Sequence, residues 1–123
     1  MLKFVPKETY KTKATIFIPG DFGRPDKFSF TVEFRRLKQQ DARQLLRRVE
    51  EAKSDPQEDQ DLDAEVLREN LVGWSNLPGA DGNDIPFSAE ALDEMLEYPC
   101  YRSGLLDLFF QGFNNRQGQA LKN

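Results

Sequence analysis

The sequence predicts a small α+β domain: an N-terminal antiparallel β-hairpin packed against about four α-helices. Three observations predict it. Two early segments alternate apolar and polar residues with the two-residue period of a half-buried strand. Later segments space their apolar residues at three and four, the period of a helix with one covered face. Capping and breaking residues fall between those later segments. At 123 residues the chain has the length of one domain, expected over 1–113 with the hairpin at about 13–36, helices over about 41–113 and a polar tail at 114–123.

In the first strand Ala14, Ile16 and Ile18 alternate with Thr15 and Phe17. In the second, Phe28, Phe30, Val32 and Phe34 alternate with Ser29, Thr31, Glu33 and Arg35. The turn-forming run Pro19-Gly20-Asp21-Phe22-Gly23-Arg24-Pro25-Asp26 joins them. A lone hairpin is marginal in water, so its phenylalanine face requires a cover, and the cover is expected to be helical. Asp41, with Gln44 three residues on, is expected to cap a helix carrying Ala42, Leu45, Leu46, Val49 and Ala52. The acidic stretch from Ser54 to Gln60, with Pro56, is expected to end it. A second helix is expected from about Asp63 to Val72, with Val66, Leu67 and Leu71 as its stripe and Gly73 as its stop. Trp74 and a polar loop to Asp84 follow. Ser88 is expected to cap a third helix, with Phe87 and Leu92 placed as a hydrophobic staple. Tyr98-Pro99 separates it from a fourth helix over Tyr101 to Phe113.

Composition excludes several functions. With 17 basic and 21 acidic residues the net charge is -4, which argues against a general binder of nucleic acid or anionic membrane. No apolar run approaches the roughly 20 residues of a membrane span. The start, Met1-Leu2-Lys3-Phe4-Val5-Pro6, lacks the apolar run of a signal peptide, and Cys100 is the one cysteine. A soluble protein of a reducing intracellular compartment is therefore expected. Histidine is absent, which removes the commonest general base and metal ligand.

The remaining tests for chemistry find no site. Placing Gly82 at the sixth position of a calcium loop puts Leu77 first and Ser88 twelfth, neither a carboxylate, so Asp81-Gly82 reads as a turn. The carboxylates between Glu50 and Glu65 lie in a polar stretch with nothing apolar to perturb them. There is no phosphate-binding glycine loop, and Cys100, between Pro99 and Tyr101, reads as a packing residue. No catalytic residue, metal ligand or cofactor is assigned, and the chain is expected to act by binding other proteins.

Two features suit that role. Arg35, Arg36, Lys38, Arg43, Arg47 and Arg48 form a basic cluster, with Glu50-Glu51 later on the same helix, an order that opposes the helix dipole. On the last helix Tyr101, Leu105, Leu108, Phe109 and Phe113 fall on one stripe and Leu106 and Phe110 on another, more apolar cover than one core-facing stripe requires. Trp74 suits either a buried anchor or an interface anchor.

The order Leu71-Val72-Gly73-Trp74, the turn at Asp81-Gly82-Asn83, Ile85-Pro86-Phe87-Ser88, Leu92-x-x-Met95-Leu96 and Tyr98-Pro99 resembles the tail assembly chaperones of long-tailed bacteriophages with non-contractile tails. The upstream Phe28-Ser29-Phe30-Thr31-Val32 strand followed by a helix from Asp41 also fits. The resemblance implies a non-catalytic protein that binds the tape measure protein before the tail tube forms around it, keeps it soluble and helps recruit the tail tube protein. It implies residence in the host bacterial cytoplasm, absence from the mature virion and, for some members, self-association into homo-oligomers. Such families often make a longer frameshifted product, and Lys122-Asn123 can be encoded by A-rich codons. Under this reading Trp74, Tyr101, Leu105, Leu106, Phe109, Phe110 and Phe113 are the candidate partner contacts, with Arg35, Arg36, Arg43, Arg47 and Arg48 as a second, polar contact. The competing readings are a completion or joining protein retained in the tail, and a small regulatory adaptor unrelated to phages. An enzyme ranks last.

Overall fold

The computed structural model describes the backbone of residues 6–122 and the side chains of residues 6–112. The fold is α+β, with helices covering one face of a three-stranded antiparallel sheet of order β1-β2-β3. Strands β1 (Thr9–Ile18) and β2 (Asp26–Arg35) pair in continuous register from Thr9 opposite Arg35 to Ile18 opposite Asp26. The hairpin thus begins before the expected residue 13. Lys11 and Lys13 sit at outward positions, while Tyr10 and Thr12 continue the inward row. A 3-10 turn at Asp21–Gly23 closes the loop, with Phe22 (φ 58°) and Gly23 (φ 73°) both left-handed.

The helices are α1 (Gln39–Ala52), α2 (Pro56–Asn70), α3 (Ala89–Leu96) and α4 (Pro99–Lys122). Helix α1 starts before the expected cap: Lys38 holds the N-cap position without a side-chain bond, and Asp41 lies in the first turn, where its charge still suits the dipole. Helix α2 starts well before Asp63. Asp55 caps it by accepting from the Gln57 N–H at 2.9 Å, and Pro56 occupies the first helical position, where a missing N–H costs nothing. The proline therefore opens a helix in a segment expected to be a break. Ser88 caps α3 as expected, its Oγ accepting from the Ala91 N–H at 3.0 Å. Pro99 opens α4, so Glu97 and Tyr98 alone separate the last two helices.

The third strand, β3 (Leu71–Ser75), departs from the expected second helix. The chain passes from Asn70 straight into extended backbone at Leu71 (φ -90°, ψ 109°), and Gly73 lies within the strand instead of stopping a helix. Thr31, Val32, Glu33 and Phe34 of β2 pair with Ser75, Trp74, Gly73 and Leu71, so Val72 is the extra residue of a bulge. The bulge returns Leu71 to the covered face, where it is 1% exposed, and leaves Val72 outside.

The core lies between sheet and helices. Ile16, Val32 and Phe34 from the strands, Val66 and Leu67 from α2, and Leu105 and Phe109 from α4 are all essentially inaccessible. Helix α4 runs close over β1. A Cβ at Gly104 would lie 2.6 Å from Ile16 Cδ1, and one at Gly112 would overlap the Tyr10 hydroxyl. At the end of α2, Asn70 is buried with its amide nitrogen donating to the Val66 carbonyl at 2.8 Å and its Oδ1 unpartnered among the described residues.

Candidate interaction surfaces

The two stripes of α4 have separate surroundings. Leu105 is 0% and Phe109 1% exposed, and the Phe109 ring sits 5.3 Å from that of Phe34. These two belong to the core and are closed to any partner in this fold, which corrects their place among the expected contacts. Leu106 and Phe110 lie about a hundred degrees further round the helix and are half-buried, packed on the cluster but reachable from solvent. Tyr101 is also half-buried, edge-on to Phe28 at 6.4 Å and to Tyr98 at 6.3 Å. Burial raises the Tyr101 hydroxyl above its ordinary pKa. Phe113 lies outside the described side chains.

Trp74 anchors the loop between β3 and α3. Its indole N–H donates to the Ile85 carbonyl at 2.8 Å, and its ring meets Phe87 edge-on at 4.9 Å. The loop is folded on itself: the Ile85 N–H donates to Leu77 O, the Gly79 N–H to Asn83 O, and Asp81 accepts from the Asn83 N–H at 3.0 Å. Gly82 takes φ 84°, as its turn demands. Leu77 is buried, Trp74 and Phe87 are half-buried, and Ile85 is exposed.

The basic residues do not form one patch. Arg48 bridges α1 to α2, its guanidinium donating to Glu69 at 3.0 Å and Glu65 at 3.1 Å, and these carboxylates raise its pKa further. Arg36 donates through Nε to Lys7 O at 3.0 Å and lies over the Tyr10 ring at 5.2 Å. Burial raises the Tyr10 hydroxyl, an effect Arg36 partly offsets. Arg35 sits opposite Thr9 on the sheet face turned away from the helices. Arg43 and Arg47 are exposed on α1 and form no ion pair among the described residues.

The hairpin tip carries exposed aromatic rings to which the sequence pattern assigns no role. Phe22 is fully exposed in a left-handed conformation that bulky side chains rarely adopt, and Phe17 is 58% exposed at the same end of the hairpin. For Phe17 the signal was present, since it alternates with Ile16 and Ile18 and so falls on the outer face. An open cleft of about 410 Å³ between α2, α3 and α4 is lined by Asp61, Arg68, Asp93 and Arg102 among others, and the Arg68–Asp93 pair at 2.6 Å neutralises part of it. Close by on α2, burial raises the carboxyl of Asp63, Asp59 adds to the effect, and Arg102 opposes it. Among the described residues no group of acidic or thiol side chains could hold a metal ion, and no helix is long and apolar enough to cross a membrane.

Comparison with known family models, with characterised proteins and with solved structures finds no match to this chain.

Proposed function

We propose that this chain is a protein-binding protein without catalytic chemistry. Its accessible apolar groups are spread over surfaces, and the cleft between α2, α3 and α4 is open and lined by opposed charges. Ligand sites for small molecules are instead concave, mostly apolar and furnished with a few convergent polar groups.

More particularly, we propose a tail assembly chaperone of long-tailed phages that binds the tape measure protein in the host cytoplasm and helps recruit tail tube subunits. The observation that carries this reading is the arrangement of 71–112. The residues that bear the resemblance fold into a strand, a closed turn, a capped helix and a proline-started helix. That last helix keeps Leu106, Phe110 and Tyr101 partly accessible after its core side is filled. A holdase for a long helical client needs such adaptable apolar contact and no chemistry.

Co-expression with a tape measure protein encoded beside it tests the reading, with purification on a tag carried by this chain. Soluble, co-purifying tape measure protein is expected. Leu106→Ser with Phe110→Ser is expected to abolish capture while the chain stays folded. A well-folded wild-type chain that leaves the tape measure protein insoluble and unbound would sink the proposal.

A further inference from the structure

The face of the sheet turned away from the helices carries a charge pattern opposite to that of the chain. Its row is set by the pairing: Lys11 and Lys13 on β1, Lys27 and Arg35 on β2, with Glu33 the one carboxylate among them. All four cations are exposed, and none forms an ion pair among the described residues. Glu33 is engaged by the Thr9 hydroxyl, which donates to it at 2.5 Å. Glu33 lies opposite Lys11 and keeps its charge, so four cations against one carboxylate leave this face a net charge of +3 in a chain of net charge -4. Between the cations lie hydroxyls: Thr15 and Ser29 are 3.2 Å apart, and Thr31 accepts from Asn76 at 3.4 Å. Phe17, opposite Lys27, closes one end with an exposed ring.

We propose that this open face is a docking surface for an acidic segment of a partner protein. Ammonium, guanidinium and hydroxyl groups all donate to carboxylates. Neighbouring same-face positions on one strand lie about 7 Å apart, so the four cations span roughly 25 Å, the reach of about eight extended residues. Phe17 takes an apolar side chain at the end of that segment. Single-stranded nucleic acid fits less well, because it needs a row of aromatic rings for base stacking and this face offers one. The proposal does not depend on the chaperone reading, since it concerns a different face and a different contact chemistry.

The test titrates the full chain at low salt with two fluorescent probes of matched length, a poly-glutamate 20-mer and a 20-nucleotide oligothymidylate. The expected result is saturable binding of the peptide that weakens as salt rises, with amide shift changes confined to β1 and β2. Lys13→Glu with Lys27→Glu is expected to weaken peptide binding by about ten-fold or more. These positions face Thr31 and Phe17, so neither reversal sets two carboxylates opposite each other. Lys13→Gln with Lys27→Gln is expected to give an intermediate loss, and Arg43→Glu with Arg47→Glu on α1 a smaller loss that disappears at about 0.1 M salt. Equal peptide binding by the wild type and the Lys13→Glu, Lys27→Glu variant would overturn the proposal. Tighter binding of the oligothymidylate than of the peptide would also overturn it, in favour of nucleic acid.

Discussion

Phe109→Ala and Phe110→Ala, adjacent in sequence, are expected to have very different effects. Phe109 is 1% exposed and set against Phe34 at 5.3 Å, so truncation leaves a cavity between sheet and helix. Removing a buried phenylalanine costs about 3–5 kcal/mol. Phe110 is half-buried, so a smaller apolar loss and an incomplete cavity bring its cost to about 1–2 kcal/mol. A domain of this size holds about 5–15 kcal/mol in all, so the first change removes a large fraction of stability and the second a tolerable one. Urea unfolding measures both. Trp74, the one tryptophan, is packed on Phe87 at 4.9 Å and reports the transition by fluorescence. With a slope of about 1.5 kcal/mol per molar urea, Phe109→Ala should lower the midpoint by about 2–3 M and Phe110→Ala by about 1 M. A midpoint for Phe110→Ala as low as that of Phe109→Ala would refute the assignment of the two stripes to core and surface.

The two glycines of α4 should separate in the same assay. Gly104→Ala gains about 1 kcal/mol of helix propensity and displaces only the flexible Cδ1 end of Ile16, so it is expected to be near neutral. Gly112→Ala meets the Tyr10 hydroxyl, with ring carbons at 3.1 and 3.3 Å, and a rigid ring cannot yield, so a net loss of about 1–2 kcal/mol is expected. Asp63→Asn should stabilise the fold slightly at neutral pH, solvent screening at this partly exposed site keeping the gain small. Burial raises the Asp63 pKa above 3.8, so the native state binds its proton more tightly than the unfolded chain does. The penalty for the charged form grows as pH rises through the folded value and vanishes below the unfolded one. Urea midpoints of wild type and variant should therefore differ at pH 7 and converge near pH 3. A difference that persists undiminished at pH 3 would assign the effect to packing.

The covered face of the hairpin and the cap at Ser88 were legible because each is a local pattern that tertiary structure left intact. Strand β3 was not, and its bulge explains why. With Val72 as the extra residue, Leu71 and Trp74 share a face three positions apart, and Leu71 follows Leu67 by four. Both spacings are those of a helix, so the apolar period continued unbroken into a strand. The helix start at Pro56 is masked for a different reason. Asp55-Pro56 has the cap-then-proline order of a helix start, but the acidic run around it has no apolar stripe until Leu62. For α4 the sequence supplied two stripes without saying which one faces the sheet. Gly104 and Gly112 held that answer, because two glycines on one side of a helix mark close approach to a neighbour, and here the neighbour is β1. The open sheet face was hidden because the strand's polar positions, Lys11 and Lys13, acquire meaning only once the pairing places Lys27 and Arg35 of β2 on the same face.

The same packing separates the two proposed surfaces. Leu106 and Phe110 are turned about a hundred degrees from the residues that meet the sheet, while Lys13 and Lys27 project from the sheet's opposite face. A client on α4 and an acidic segment on the sheet therefore share no contact residue. Binding at one site should leave affinity at the other unchanged, apart from long-range charge effects that salt screens beyond about 10 Å. This can be measured by titrating poly-glutamate against the free chain and against its complex with the tape measure protein at about 0.1 M salt. Equal affinities support two independent surfaces. Complete exclusion of the peptide from the complex would mean that the client itself occupies the sheet face, and that the apolar helix and the cationic sheet form parts of one continuous site.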